Sequence, residues 1–359
     1  QYQSIQLKDP LQFDQVSDMF QTDVNGDGLF DLTFLSVGSQ KNVLSKIYTA
    51  PYTQPPATSD LTALIGNRFK YNDRSQFFSI DVDGDGKMEL LQLWQDTTTS
   101  SFFIFCYRGT NGAFSSFVQT TISSKSFDTK VVALPSDVNG DGKTDLIIIF
   151  KSEALILLAS DNAQFVQKSS FYLPFDYSTS PGSAQVGDIN GDGLTDLIFI
   201  NYKDSSGGTN LLFYVLLADP KKPGFFLKGS TYNTGYSRSS VVQQEVLDLN
   251  GDGNSDVLVI SKESSSYVIR TFYSAGDGIK FIQTSSSDIK FNPSGNTIDS
   301  ISTTDLNADG YDDLTILVEG DSSTNSYNSY VYFGSAQGIS RNYNYTKIPN
   351  SMSGLNLFA

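Results

Sequence analysis

Six short stretches of this chain place carboxylates at alternate positions of a tight, glycine-bearing loop. They read "DVNGDGLFDL" from Asp23, "DVDGDGKMEL" from Asp81, "DVNGDGKTDL" from Asp137, "DINGDGLTDL" from Asp188, "DLNGDGNSDV" from Asp248 and "DLNADGYDDL" from Asp305. Counting each first Asp as position 1, positions 1, 3, 5 and 9 carry side-chain oxygens and position 7 offers a backbone carbonyl. Such a donor set suits a hard cation: calcium takes ~6–8 oxygens at ~2.3–2.6 Å, and alternate residues of a loop point toward one centre. Glycine at position 6 permits the sharp turn.

The candidate ligands follow loop by loop. The first offers Asp23, Asn25, Asp27, Leu29 and Asp31, and the second Asp81, Asp83, Asp85, Lys87 and Glu89. The third offers Asp137, Asn139, Asp141, Lys143 and Asp145, and the fourth Asp188, Asn190, Asp192, Leu194 and Asp196. Asp248, Asn250, Asp252, Asn254 and Asp256 make the fifth set; Asp305, Asn307, Asp309, Tyr311 and Asp313 make the sixth. An EF-hand needs an acidic residue at position 12 on an exiting helix. Position 12 is instead Phe34, Gln92, Ile148, Phe199, Val259 and Ile316, none of which chelates. The last ligand moves to position 9, at the mouth of a strand, where an ion would clamp a turn between two strands. Two loops vary: Glu89 lengthens the arm at position 9, and Ala308 replaces Gly at position 4, a change that costs about 1 kcal/mol if position 4 needs φ > 0. Both sites are expected to be retained.

Charge supports the same chemistry. The chain carries 24 Lys plus Arg against 39 Asp plus Glu, a formal charge of -15, which repels nucleic acid and anionic membranes. Six calcium ions would bring that charge to about -3 and remove the repulsion among clustered carboxylates. Histidine is absent, which excludes Ser-His-Asp, Cys-His and His-ligated metal chemistry. The one cysteine, Cys106 in "FFIFCY", reads as a small buried hydrophobe. No apolar run is long enough to span a membrane, and a start at Gln rather than Met suggests a processed chain.

The elements that must position these loops repeat with them. Loop starts are 58, 56, 51, 60 and 57 residues apart, and each loop leads into a short apolar run such as "DLIIIF" or "DVLVI" that reads as a strand buried on both faces. A second apolar strand follows ("ALILLAS", "LLFYVLLA"), then a wetter outer strand ("AQFVQKSSFYL", "ISRNYNYTKI"), then a short strand into the next loop. Four strands per repeat with no convincing helix is the unit of a β-propeller blade. The period favours one all-β domain over residues 1–359 with six blades; seven is the alternative. The strand before Asp23, with "SIQLK", is expected to complete the blade formed by the end of the chain.

With D-x-[DN]-x-D-G-x-x-[DE] in all six loops, the chain resembles the FG-GAP and VCBS repeat propellers, found in integrin α-subunits and T-cell immunomodulatory protein-like ectodomains. The resemblance implies one structural calcium per loop, about six in all, on an extracellular propeller. The expected function is non-catalytic adhesion, recognition or assembly, with a protein or glycan partner at the cell surface. A propeller lectin and a polysaccharide-active lyase or hydrolase are the competing readings. Basic loops around Arg68, Lys70 and Arg74, beside Phe69 and Tyr71, and around Lys221 and Lys222 offer charge to a partner's carboxylates, against the plainer reading of solvated loop charge. Trp94, Tyr107 and Tyr273 are expected to pack between blades. "NYT" at Asn344 is a glycosylation sequon.

Overall fold

The computed structural model describes residues 16–348 except 97, 99–100, 111, 123–130, 178–181, 201–207, 265, 284–287, 293–296 and 321–325. The chain divides into two compact units, Gln1–Leu173 and Pro174–Ala359. Each holds three antiparallel sheets built from consecutive strands. In the first unit, β1 (Val16–Thr22), β2 (Asp31–Val37), β3 (Val43–Tyr48) and β4 (Ala57–Asp60) form one sheet. A helical turn α1 (Leu61–Ile65) follows, then β5 (Gln76–Ile80), β6 (Glu89–Asp96), β7 (Ser101–Thr110) and β8 (Ala113–Ile122). The third sheet is β9 (Val132–Ser136), β10 (Asp145–Phe150), β11 (Glu153–Ala159) and β12 (Phe165–Tyr172).

The second unit begins with β13 (Ser183–Gly187), β14 (Asp196–Ile200), β15 (Asn210–Leu216) and β16 (Ser230–Ser237). Next come β17 (Val241–Leu247), β18 (Asp256–Glu263), β19 (Ser266–Ser274), the two-residue β20 (Phe281–Ile282) and β21 (Ile289–Phe291), which also pairs with β19. Last are β22 (Ile298–Thr304), β23 (Asp313–Glu319), β24 (Tyr327–Tyr332) and β25 (Tyr343–Ile348). Among the described residues there are six such sheets, the blades of a six-bladed β-propeller, so the seven-bladed alternative falls.

Burial explains the strand order. The second strands are apolar and closed to water on both faces: β10, β14 and the first six residues of β18 are buried throughout. Outer strands alternate, as in β16, where every second residue is exposed. Cores form between neighbouring sheets. One joins Leu91, Leu93 and Ile104 to Leu146, Ile148 and Leu155, with Cys106 inside it. Burial pushes the Cys106 thiol well above its ordinary value, as suits an inert core residue.

Two expectations need correction. The strand before Asp23 does not complete the last blade: β1 pairs with β2 in the register Thr22↔Asp31 to Val16↔Ser36, and β22–β25 supply their own four strands. The acidic loop is itself the hairpin that joins β1 to β2, so it ties that strand to its own sheet. "SIQLK" lies outside the described residues. Nor is the segment that carries Arg68, Lys70 and Arg74, residues 49–75, simply a loop. It contains β4, paired with β3, and α1, whose N-cap Asp60 accepts from Ala63 N at 2.9 Å while Leu61, Thr62 and Ile65 are buried.

Candidate metal loops

Every acidic loop occupies the hairpin between the first and second strand of its sheet, and its first carboxylate organises it. Asp23 Oδ2 accepts from Gly28 N at 2.8 Å, and the same bond from position 6 to position 1 recurs at Asp81, Asp137, Asp188, Asp248 and Asp305. Asp23 Oδ1 accepts from Gly26 N at 2.7 Å and from Asp27 N at 3.1 Å. Position 5 accepts the N–H of position 7, as Asp27 Oδ1 does from Leu29 N at 2.8 Å; Lys87, Lys143, Leu194, Asn254 and Tyr311 repeat it. In five loops the position-3 amide donates to the position-5 carboxylate, from Asn25 to Asp27 at 3.0 Å and from Asn139 to Asp141 at 3.2 Å, with Asn190, Asn250 and Asn307 doing the same. Side-chain oxygens of positions 1, 3 and 5 are thus gathered by the loop's own amides, with carboxylate lone pairs still available.

Position 9 sits differently. Asp31, Asp145, Asp196, Asp256 and Asp313 are each 0% exposed, and their two oxygens bridge two backbone amides. One amide belongs to position 2 of the loop; the other lies at or just past the end of the third strand of the sheet. Asp145 accepts from Val138 N at 3.2 Å and Ala159 N at 2.7 Å, and Asp196 from Ile189 N at 2.9 Å and Ala218 N at 2.8 Å. Asp31 takes Val24 and Ala50, Asp256 takes Leu249 and Ser274, and Asp313 takes Leu306 and Gly334. Sequence reasoning missed this second duty, because the partner at the end of the third strand lies 14 to 22 residues downstream with no motif of its own.

Burial, reinforced by neighbouring loop carboxylates, pushes Asp31, Glu89, Asp145, Asp196 and Asp256 up despite their amide partners. Glu89, Asp145 and Asp256 rise to about 7 and Asp196 to about 6, while Asp31 moves the same way. The folded metal-free protein therefore holds protons that the unfolded chain has already released above about pH 4.5, and stability from these groups falls as pH rises through about 7. Calcium-stripped protein is expected to melt higher at about pH 5.5 than at about pH 8. Thermal melts after exhaustive dialysis check this, and a higher midpoint at alkaline pH would contradict it.

The second loop has its own arrangement. Asp83 replaces the Asn that bridges position 3 to position 5, and Arg108 on β7 pairs with Asp83 Oδ2. The guanidinium thus offsets the extra carboxylate. Asp83 Oδ1 is buried without a hydrogen-bond partner, and ligand atoms of Asp81, Asp83 and Glu89 lie within 4.8 Å of one another. An orphaned carboxylate oxygen in a cluster of hard oxygen donors fits a divalent cation. Glu89 reaches Val82 N at 2.9 Å, so the longer arm keeps the amide of position 2.

Ala308 marks the sixth loop. Position-4 glycines in the other loops have φ between 70° and 77°, and Ala308 is held at 61°. A Cβ in the left-handed region costs about 1–2 kcal/mol. Ala308→Gly is expected to stabilise the protein by about 1 kcal/mol, read as a raised midpoint in urea with an unchanged slope. A neutral or lower midpoint would show that the loop has adapted to the methyl group.

Loops also interlock with their neighbours. The N–H of position 8 donates to the carbonyl of position 1 in the preceding loop: Met88 to Asp23 at 3.0 Å, Thr144 to Asp81 at 3.1 Å, and Ser255 to Asp188 at 2.6 Å. A Cβ built on Gly26 would lie 2.7 Å from the Lys87 side chain, and one on Gly251 2.6 Å from Tyr311. Position 4 of one loop is therefore packed against position 7 of the next.

The remaining sequence candidates are scattered. Phe69 is buried and Tyr71 half-buried in the core of the first two sheets, while Arg68 and Lys70 are exposed. Lys221 and Lys222 lie exposed in a turn built on Asp219, which accepts from Lys221 N at 2.9 Å. Tyr107 is 0% exposed, its hydroxyl donating to Gln92 Oε1 at 2.6 Å, and Tyr273 packs against the core of the last two sheets. Trp94 packs on Phe69 and also lines a cavity. Asn344 is exposed on the outer strand β25. Among the described residues, no helix is long and apolar enough to cross a membrane.

Comparison with known proteins agrees with this geometry. Residues 137–199 and 248–316 match the family model for FG-GAP-like repeats. The T-cell immunomodulatory protein homolog of Plasmodium falciparum (isolate 3D7) is 32% identical over 130 residues, a match that spans 33% of this chain and 18% of that protein. Among solved structures, an Agrocybe aegerita lectin described as recognising non-reducing terminal N-acetylglucosamine superposes with a TM-score of 0.62. That likeness covers 94% of this chain and 81% of the lectin at 14% identity, and it concerns the fold alone.

Proposed function

Because the chain carries FG-GAP-like repeats on a six-bladed propeller, we propose that it is a calcium-stabilised recognition module acting outside the cell, with no catalytic step of its own. The observation that carries this reading is the division of labour within each loop. Position 9 is buried and anchored to the backbone, and in the second loop Glu89 also joins Asp81 and Asp83 in one cluster, whereas positions 1, 3 and 5 present hard oxygens around a turn that joins two strands. An ion held there by Asp23, Asn25 and Asp27, or by Asp81, Asp83 and Asp85, would neutralise the loop and lock the hairpin. It would not face a substrate. Loops without an acidic position 12 suit the abundant calcium outside cells, where modules function with affinities of ~10⁻⁴–10⁻³ M.

The partner class is a cell-surface protein or glycan, and a propeller lectin is the second reading, for which the fold shared with the Agrocybe aegerita lectin is a suitable scaffold. The module reading is tested by presenting the purified chain, in calcium and in chelator, to immobilised glycans and to surface extracts, while assaying polysaccharides for cleavage. Calcium-dependent capture without product supports it. Release of reducing ends or unsaturated sugars would replace it with an enzyme.

A further inference from the structure

At the far end of β6 from Glu89, about 23 Å away along the strand, lies a cavity of about 360 Å³. Its wall is formed by Arg68 and Phe69 after α1, Trp94 and Asp96 at the end of β6, Thr98, and Phe103 on β7. The floor is aromatic and fixed: Phe69 meets Trp94 edge-on at 5.2 Å and Phe103 at 5.0 Å, and Trp94 Nε1–H donates to the Lys70 carbonyl at 2.8 Å. Arg68 is exposed, its guanidinium carbon 4.4 Å from the Phe69 ring centre and 5.8 Å from that of Phe103, and it makes no ion pair among the described residues. On the same wall Asp96 Oδ1 accepts from Thr98 N at 2.8 Å and from Thr98 Oγ1 at 2.7 Å, which fixes the carboxylate.

We infer that this cavity binds a carboxylate-bearing sugar residue, of the uronic acid class, at the terminus of a glycan. The inference rests on the recognition reading above and gives that reading a site. The Arg68 guanidinium, centred 4.4 Å from the Phe69 ring centre, has N–H groups to offer a planar anion. Carbohydrate C–H faces pack on aromatic rings such as those of Trp94 and Phe103. Asp96, ionised, only accepts, so it receives hydroxyl donors and rejects a second carboxylate. A sugar acid uses all three features, whereas an acidic peptide side chain uses the guanidinium alone. The volume lies at the lower end of small-molecule sites and takes one sugar ring.

Trp94 is the single tryptophan of the chain, so its emission reports on this cavity directly. Titration with methyl glucuronide is expected to give a saturable change. Affinity should fall by about tenfold or more for methyl glucoside, and likewise for Arg68→Gln with the glucuronide. Arg68 is exposed and remote from the acidic loops, so the variant should keep its calcium response and the shielding of Cys106 from thiol reagents, which controls for folding. Equal affinity for both sugars, an unaffected variant, no response, or a response to an acidic tetrapeptide alone would overturn the assignment. If Arg68→Gln still captures glycans on a surface, the recognition reading survives and only this site fails.

Discussion

Calcium-stripped protein is expected to melt on the order of 10–20 °C below the calcium-saturated form. A ligand that binds only the folded state adds RT ln(1 + [L]/Kd), about 1.4 kcal/mol per site at ten times Kd and about 2.7 at a hundred times. Each compact unit contains three acidic loops, which gives about 4–8 kcal/mol per unit. For units of this length about 1 kcal/mol moves the midpoint by ~2–4 °C. The interlocked loops should make the effect cooperative within a unit: the Asp23 and Asp81 carbonyls each anchor the following loop, so a hairpin that loosens without its ion loosens its neighbour. Differential scanning calorimetry with and without chelator measures the shift, and metal analysis should count about six ions per chain. Coincident melting curves would remove calcium from the account.

The blade unit was legible in the sequence because two signals coincide there. Apolar runs such as "DLIIIF" are too short for helices, and each begins at a carboxylate whose burial makes sense only at a hairpin. Blade phasing was not legible. Whether β1 belongs to the first or the last sheet depends on hydrogen bonds, and the apolar content of "VSDMF" serves either pairing. The α1 turn was hidden by its setting, since "LTALI" is one turn long and depends on the Asp60 cap and on burial of Leu61 and Ile65. Spacing supplied the candidate ligand positions, but the hydrogen bonds of position 9 were not legible, because its second amide is brought back by the third strand. The cavity beside Trp94 arises in the same way: Arg68 and Phe103 are 35 residues apart and meet through sheet packing.

Position 9 also yields a test that separates scaffold from metal site. Asp256→Ala is expected to destabilise the second unit by about 2–5 kcal/mol both with and without calcium, because it leaves the buried Leu249 and Ser274 amides without an acceptor, at ~1–3 kcal/mol each. Ser274 also donates through its hydroxyl to the Ile189 carbonyl at 2.6 Å, so the loss reaches the preceding loop. Asp256→Asn should cost less, since the amide oxygen still accepts one N–H and the cost of a buried charge raised to about 7 disappears. Asp252 at position 5 is exposed and bonded only within its own loop. Asp252→Ala should therefore shift the calcium-free midpoint by less than about 1 kcal/mol while removing a substantial part of the calcium-dependent gain. Urea titrations of the three variants in calcium and in chelator give six midpoints. If Asp252→Ala and Asp256→Ala lose stability equally in chelator, the two positions are not separated as the hydrogen bonds require. If Asp252→Ala keeps the full calcium gain, position 5 does not hold the ion.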